Sequence, residues 1–156
     1  MFELNIPGYK TLLFPHLVLD YNGTIACDGR LIPGVKNLME EISKSFLIHV
    51  LSADTFGSVQ KEMNGIPCEI GIIGKGDEAK AKADYVRQLE AQKTVCVGNG
   101  RNDALMLKEA ALGIAVIQEE GGAVEALLAA DIVTRNILDA LDLLRHPLRL
   151  TATLRA

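Results

Sequence analysis

An aspartate follows directly on an apolar run near the start of the chain. The segment Leu17–Thr24 reads LVLDYNGT, so a short strand leads into Asp20, and Gly23 and Thr24 form a turn just after it. Open α/β sheets bind their ligands at the carboxyl ends of the strands. The pattern therefore predicts a carboxylate at the edge of a sheet where ligands bind.

A second segment has the same form. Val97–Asp103 reads VGNGRND, in which the end of a strand is followed at once by a polar turn. The carboxyl ends of parallel strands meet at one edge of a sheet, so we expect this turn to lie near Asp20. Together the two segments suggest chemistry through an aspartyl-phosphate.

These residues resemble the motifs of the haloacid dehalogenase (HAD) superfamily. Asp20–Thr24 resembles the first motif, usually Asp-x-Asp-x-Thr or Asp-x-Thr-Gly-Thr, and Ser52 at the end of an apolar run matches the second. Gly98–Ala104 is similar to the Gly-Asp-Gly-x-Asn-Asp-Ala of the P-type ATPases, and Lys108–Ala115 continues that likeness. The resemblance covers Leu17 to about Ala115, with the motifs in order.

The lysine of the third motif has more than one candidate. Lys80, Lys82 and Lys75 all precede the last motif, at or near the start of a predicted helix. Lys80 lies 19 residues before Asn99 and matches the family spacing best.

The resemblance implies a Mg²⁺-dependent phosphohydrolase acting on a small phosphorylated substrate or a phosphoprotein. Asp20 would be the nucleophile, and attack on phosphorus would divide one difficult displacement into two steps. The residues implied for catalysis are Asp20, Asn22, Ser52 and Lys80. Those implied for phosphate or substrate binding are Gly23, Thr24, Ser52, Ala53, Lys80 and Asn102. The Mg²⁺ ligands implied are Asp20, the backbone carbonyl of Asn22, Asn99 and Asp103.

Two positions depart from the family pattern. Asn22 stands where the phosphatases carry an aspartate that protonates the leaving group, and general acid catalysis is typically worth about 10²- to 10⁴-fold. Asn99 stands where a charged metal ligand is usual, and its amide oxygen brings no charge to the ion. We expect slow turnover or turnover restricted to good leaving groups.

Each of these residues also has a structural interpretation. An aspartate before a glycine is often only a turn residue, and Ser52 could cap a helix that begins near Thr55. Lys80 could lie on a solvated helix face, and Asn99–Asp103 could be a turn with a helix N-cap.

Hydrophobic periodicity predicts alternating strands and helices after an N-terminal hairpin. This pattern is typical of a three-layer, doubly wound, mostly parallel Rossmann-like sheet. Strands are predicted at 2–6, 10–14, 16–20, 46–51, 68–73, 94–97, 113–117 and 132–133, with a small hairpin at 24–31. Helices are predicted at 33–45, 55–63, 77–90, 102–110, 124–129 and 137–144.

The chain of 156 residues fits one domain. It divides into an N-terminal hairpin extension (1–15), a core (16–145) and an apolar-basic C-terminal tail (146–156). The gaps between the motifs leave no room for a cap domain, so we expect an open site. The hairpin and the tail are candidate contact surfaces for a homo-oligomer.

Composition and charge argue against a nucleic-acid-binding or membrane-spanning protein. A formal net charge of −4 gives no general attraction to nucleic acid or anionic membranes. Three widely spaced cysteines fit a reduced chain. We find neither a signal peptide nor an apolar run of the roughly 20 residues that span a bilayer, and we expect a cytoplasmic protein.

Three other functions match parts of the sequence. A dinucleotide-binding loop would need a third glycine where Asp103 stands. A response-regulator receiver would need an acidic pair after its first strand. A phosphate-binding or scaffold protein on a weakened phosphatase fold is the serious alternative, and Asp20-dependent release of phosphate would distinguish it from an enzyme.

Overall fold

The computed structural model describes residues 2–54 and 57–156. The strands are β1 (Phe2–Asn5), β2 (Thr11–Phe14), β3 (His16–Asp20), β4 (Ala26–Cys27), β5 (Arg30–Leu31), β6 (Leu47–Ser52), β7 (Glu69–Ile72), β8 (Thr94–Gly98), β9 (Leu112–Val116) and β10 (Ile132–Thr134). The helices are α1 (Val35–Ile42), α2 (Ser58–Glu62), α3 (Glu78–Gln88), α4 (Ala104–Glu109), α5 (Val124–Ala129), α6 (Ile137–Leu143) and α7 (Pro147–Leu154). Short 3₁₀ turns span Ala91–Lys93 and Arg101–Asp103.

Six parallel strands form the central sheet in the order β10-β9-β8-β3-β6-β7. β3 lies between β6 and β8, with Asp20 opposite Leu51 and Leu19 opposite Val97. The carboxyl ends of these three strands therefore meet at one edge of the sheet, where Asp20, Ser52 and Gly98 lie. The predicted α/β fold is confirmed.

Helices cover both faces of this sheet, which gives three layers. Leu17 and Leu19 of β3 belong to the hydrophobic cluster that includes α1 and α6. Val18, between them in sequence, belongs to a second cluster built with α3, α4 and α5. Successive side chains of a strand point to opposite faces, so a strand covered on both sides reads as a continuous apolar run.

The N-terminal hairpin is confirmed, and it packs onto the core. β1 and β2 pair antiparallel, with Phe2 opposite Phe14. Leu4, Leu12 and Phe14 are buried in the same cluster as α1 and α6. Within the C-terminal tail, residues Pro147–Leu154 form the helix α7, with Pro147 in its first turn. Leu150 of α7 is fully buried in that cluster, whereas Leu148 is 84% exposed, so one apolar side of α7 packs within the chain.

Other predicted boundaries differ by a few residues. The helix predicted at 33–45 is α1, which begins only after Gly34 at a φ of 93°. The helix predicted at 102–110 divides into a 3₁₀ turn and α4. The first two residues of the helix predicted at 55–63 lie outside the described residues, and α2 spans Ser58–Glu62.

Short connections separate the strands that carry the predicted motifs. Only β4, β5 and α1 lie between β3 and β6, and the described residues between β6 and α3 form α2 and β7. These described segments contain no cap domain. No helix among residues 2–54 and 57–156 has the length and apolar character to cross a membrane.

Gly113 shows how closely α4 packs on the sheet. A Cβ at this position would lie 2.3 Å from the backbone oxygen of Leu107. We expect Gly113→Ala to lower the free energy of unfolding by about 3 kcal/mol, near the upper end for overpacking a core. Chemical denaturation measures this change. Gly74, with nothing within 4 Å of its position for a Cβ, is the matched control, and Gly74→Ala should change stability by less than about 1 kcal/mol. Equal effects of the two substitutions would contradict the packing described.

Candidate active site

Asp20 lies at the carboxyl end of the central strand and is 5% exposed. The turn after it is held by one carbonyl, because the Tyr21 oxygen accepts N–H bonds from Thr24, Ile25 and Ala26 at 3.0–3.3 Å. This turn brings the Thr24 hydroxyl back to donate to Asp20 Oδ2 at 2.8 Å. The spacing of four residues between Asp20 and Thr24 therefore places the hydroxyl within hydrogen-bond distance of the carboxylate.

Lys82 is the lysine that reaches Asp20. Its Nζ donates to Asp20 Oδ1 at 2.7 Å and to Asp103 Oδ1 at 2.8 Å, and the residue is only 2% exposed. Lys80, the lysine predicted from motif spacing, is exposed on α3, and its backbone N–H is capped by Asp77. Side chains that are two positions apart on a helix point about 200° away from each other around its axis, so the two lysines face nearly opposite directions. Of the two lysines, Lys82 is therefore the one that contacts Asp20, and Lys80 faces away from it.

Asp103 anchors the turn that carries the last motif. Its side chain is fully buried, and its Oδ2 accepts the backbone N–H groups of Asn99 at 3.0 Å and Gly100 at 2.9 Å. Gly98 leaves the room that this needs, because a Cβ there would lie 2.6 Å from the Asp103 side chain. Oδ2 of Asp103 already accepts two hydrogen bonds and Oδ1 accepts one from Lys82, so a direct bond from Asp103 to a metal would have to come from Oδ1.

Asn99 uses both ends of its amide. Oδ1 lies 3.2 Å from the Thr24 hydroxyl oxygen, whose single hydrogen is shared with the nearer Asp20 Oδ2, and Nδ2 donates to the Gly121 carbonyl at 3.0 Å. The Gly121 carbonyl thereby fixes which end of the amide faces Thr24 and Asp20. Gly23 lies against the same amide at a φ of +79°, and a Cβ there would lie 2.5 Å from Nδ2. A side chain at position 23 would therefore displace Asn99.

Charge at this site is not balanced. One ammonium, Lys82, faces two buried carboxylates. Burial and the neighbouring Asp103 raise the pKa of Asp20 to about 7, although Lys82 and Thr24 oppose the rise. Burial by itself lowers the pKa of Lys82, but its two carboxylate partners more than reverse this and raise it. Once Asp20 is ionised, the site has one carboxylate more than its single ammonium, which leaves an excess of negative charge at the sheet edge.

The donor atoms of this site fit a magnesium ion. The groups that face the turn are oxygens, from the Asp20 carboxylate and from Oδ1 of Asn99. Mg²⁺ prefers oxygen ligands, and a divalent cation would offset the excess negative charge. Asn99 adds no charge of its own, so Asp20 would be the principal ligand.

The other residues singled out from the sequence are more dispersed. Ser52 is buried at the end of β6, where its Oγ accepts the N–H of Asp54 at 3.0 Å, and Ala53 follows it half-buried. Asn102 donates from Nδ2 to Glu78 at 2.8 Å, so its amide ties the turn to α3. Asn22 is exposed at the tip of the first motif.

Sequence reasoning missed one residue beside the first motif. Gln118, in the loop after β9, donates to the carbonyls of Gly23 and Thr24. A single glutamine in a polar loop carries no pattern in spacing or periodicity that would have identified it.

Solved structures share this fold. The 3-deoxy-D-manno-octulosonate 8-phosphate phosphatase of Moraxella catarrhalis, solved with magnesium, phosphate and KDO, matches with a TM-score of 0.67 at 17% identity, over 86% of this chain and 87% of that chain. A structure from Legionella pneumophila that is assigned to the HAD superfamily matches with a TM-score of 0.65 at 15% identity, over 90% of this chain and 87% of that chain, so the chain shares the fold of both structures. No family model matches the sequence.

This chain is similar in sequence to two proteins of different organisms. MJ0073 of Methanocaldococcus jannaschii is 45% identical over 84 residues, which cover 51% of this chain and 90% of that protein. The chain belongs to the same family as MJ0073, an uncharacterized protein. The phosphoserine phosphatase of Idiomarina loihiensis is 35% identical over 81 residues, which cover 48% of this chain but only 36% of that enzyme.

The raised pKa of Asp20 predicts a pH-dependent stability. A carboxyl whose pKa rises from 3.8 to about 7 on folding binds a proton more tightly in the native state, so its contribution to stability is present at low pH and lost between about pH 4 and 7. Asp20→Asn cannot ionise and escapes this loss. In EDTA, we therefore expect Asp20→Asn to gain stability relative to the unsubstituted protein as pH rises from 4 to 8. Denaturation at several pH values measures this, and a difference that stays constant with pH would contradict it.

Proposed function

We propose that this chain is a Mg²⁺-dependent phosphohydrolase that works through an aspartyl-phosphate on Asp20. The observation that carries the proposal is the buried Lys82, which holds Asp20 at 2.7 Å and Asp103 at 2.8 Å at the carboxyl edge of the sheet. This arrangement holds one carboxylate oxygen with a cation and the other with the Thr24 hydroxyl. The 35% identity with a phosphoserine phosphatase, across 48% of this chain, supports a phosphorylated substrate.

In the first step, a carboxylate oxygen of Asp20 attacks the phosphorus of the substrate. A bond forms between that oxygen and phosphorus, the bond from phosphorus to the leaving oxygen breaks, and the leaving group keeps the electron pair. In the second step, water attacks the aspartyl-phosphate, which returns the carboxylate and releases inorganic phosphate. The proton of that water passes to solvent.

The surrounding side chains hold the reacting groups in place. Lys82 keeps Asp20 oriented and keeps a positive charge beside the phosphoryl oxygens, a role for which motif spacing favoured Lys80. Ser52, at the neighbouring strand end, and the amides after it at Ala53 are the further donors proposed for phosphate. Bound Mg²⁺ would be held by Asp20, the Asn22 carbonyl and Asn99, and would neutralise charge on the transferring phosphoryl group.

Asn22 restricts the substrates that can react quickly. It carries no proton that it could give to a leaving oxygen, and it is exposed at the tip of the turn. Leaving groups that are stable as anions, such as nitrophenolate or a carboxylate, need no such proton. We therefore propose that acyl phosphates and comparable small phosphorylated molecules are hydrolysed faster than alkyl phosphates.

A second candidate function is a phosphate-binding or regulatory protein on the same fold. Asn22 and Asn99 favour it, because they replace the leaving-group acid and a charged metal ligand. In that case Asp20 would contribute to binding, and phosphate would not be released.

Phosphate release from nitrophenyl phosphate, acetyl phosphate and several sugar phosphates tests the proposal. We expect release that requires Mg²⁺, that falls to background in Asp20→Asn, and that is lost in Lys82→Met, because both variants remove a charge from the reacting centre. Lys80→Met is the matched control, since it removes an equal charge from the exposed face of the same helix.

The outcomes separate the two candidate functions. Release that is equal in the unsubstituted protein and in Asp20→Asn would overturn the phosphohydrolase. Loss of activity in Lys80→Met together with retention in Lys82→Met would overturn the role proposed for Lys82.

Restoring the missing acid gives a further prediction. Asn22→Asp should raise the rate for sugar phosphates by up to about 10²-fold, the lower end of what general acid catalysis contributes. The rate for nitrophenyl phosphate should change by much less, because that leaving group departs as a stable anion. Steady-state kinetics on both substrates measure this difference. An equal change for both substrates would show that position 22 does not act on the leaving group.

A further inference from the structure

Gln118 connects the turn after Asp20 with a helix that covers one face of the sheet. Its Nε2 donates to the carbonyl oxygen of Gly23 at 3.0 Å and to that of Thr24 at 2.5 Å. Its Oε1 accepts the N–H of Ile137, the first residue of α6, at 3.0 Å. A carboxamide nitrogen carries two hydrogens, so both carbonyls can be bonded at once. Every polar atom of this side chain is in use.

The two carbonyls depend on this side chain. The peptide units that carry these carbonyls contain the N–H groups of Thr24 and Ile25, and both of these donate to the Tyr21 carbonyl within the turn. No backbone N–H of the residues that the structure describes donates to the carbonyl of Gly23 or of Thr24. The planes of these two peptides are therefore fixed on one side by the turn itself and on the other by Gln118.

The loop that carries Gln118 also holds the other half of the site. The Gly121 carbonyl accepts from Nδ2 of Asn99, and the Ala123 N–H donates to the Asn99 carbonyl at 2.8 Å. The segment 118–123 thus contacts both the turn after Asp20 and the turn after β8. It touches neither carboxylate and acts only through their neighbours.

We propose that Gln118 is a positioning residue for the reaction at Asp20, an assignment that rests on the proposed function and that none of the sequence motifs makes. Gln118 fixes the Gly23 and Thr24 peptides, and the Thr24 hydroxyl in turn orients Asp20 Oδ2. The same peptides adjoin the Asn22 carbonyl, which is one of the groups proposed to hold Mg²⁺. Loss of the carboxamide should let these groups rotate away from the reacting centre.

Two substitutions distinguish the hydrogen bonds made by Nε2 of Gln118 from the one accepted by Oε1. Gln118→Ala removes all three hydrogen bonds. Gln118→Glu keeps an acceptor for Ile137, but at pH 8 it turns a carboxylate toward two carbonyls. Gln92 offers the matched control, because its Nε2 donates to a backbone carbonyl of Glu109 at 3.3 Å at the opposite, amino edge of the sheet.

We expect both Gln118 variants to lower kcat for nitrophenyl phosphate by about 10- to 100-fold, as small misplacements of catalytic groups do. The KM should stay within about threefold, because substrate contacts are unchanged, and Mg²⁺ binding measured by calorimetry without substrate should weaken. Gln92→Ala should leave kcat and Mg²⁺ binding unchanged. A role confined to stability would instead lower the melting temperature and leave the kcat of the folded protein intact.

Hydrogen exchange gives a readout that does not depend on turnover. The N–H groups of Thr24, Ile25 and Ala26, which all bond to Tyr21, should exchange faster in Gln118→Ala than in Gln92→Ala. Unchanged exchange at these amides, or an unchanged kcat in both Gln118 variants, would overturn the positioning role. If the unsubstituted protein shows no Asp20-dependent release, the proposed function fails, and exchange at these amides still decides whether Gln118 positions the turn.

Discussion

One buried ammonium, shared between two carboxylates, is the interaction on which this structure depends. Lys82 from α3 meets Asp20 at the end of β3 and Asp103 in the turn after β8. Removing charges from water costs several kcal/mol for each ion, and close pairing recovers that cost only when the geometry is good. The three elements must therefore come together in one arrangement. Gly98 belongs to the same arrangement, since a Cβ at this position would push Asp103 out of place.

The sequence was sufficient for the sheet, because its strands are apolar on both faces and are separated by amphipathic helices. It also placed Asp20, Thr24, Asn99 and Asp103 in one region, since each follows a strand that ends at the same edge. The sequence was not sufficient to identify Lys82 as the lysine that contacts Asp20. Motif spacing favoured Lys80, and the direction of a side chain on a helix depends on where that helix begins, which Asp77 sets. The contacts of Gln118 join distant loops and leave no trace in local patterns.

Asn99 and Asn22 differ in their surroundings, because the amide of Asn99 is hydrogen-bonded within the site and Asn22 is exposed. The amide of Asn99 is built into the site, because its NH₂ group satisfies the Gly121 carbonyl and an aspartate would set a carboxylate against that oxygen. Without a charge at position 99, a bound divalent cation would outweigh the net negative charge of Asp20, Asp103 and Lys82. The loaded site would then attract a phosphate group more strongly. Asn22 is exposed, and under the proposed function its identity would bear mainly on the leaving group.

The sequence distance between the partners of Lys82 has a consequence for folding. Lys82 lies 62 residues from Asp20 and 21 from Asp103, and parallel strands can bring such segments together only after long crossovers form. Until then each of the three charged groups is better solvated by water. The ion pairs should thus form late, after the transition state has gathered the hydrophobic clusters. Substitutions at Lys82 would then act mainly on the rate of unfolding and leave the rate of folding nearly unchanged.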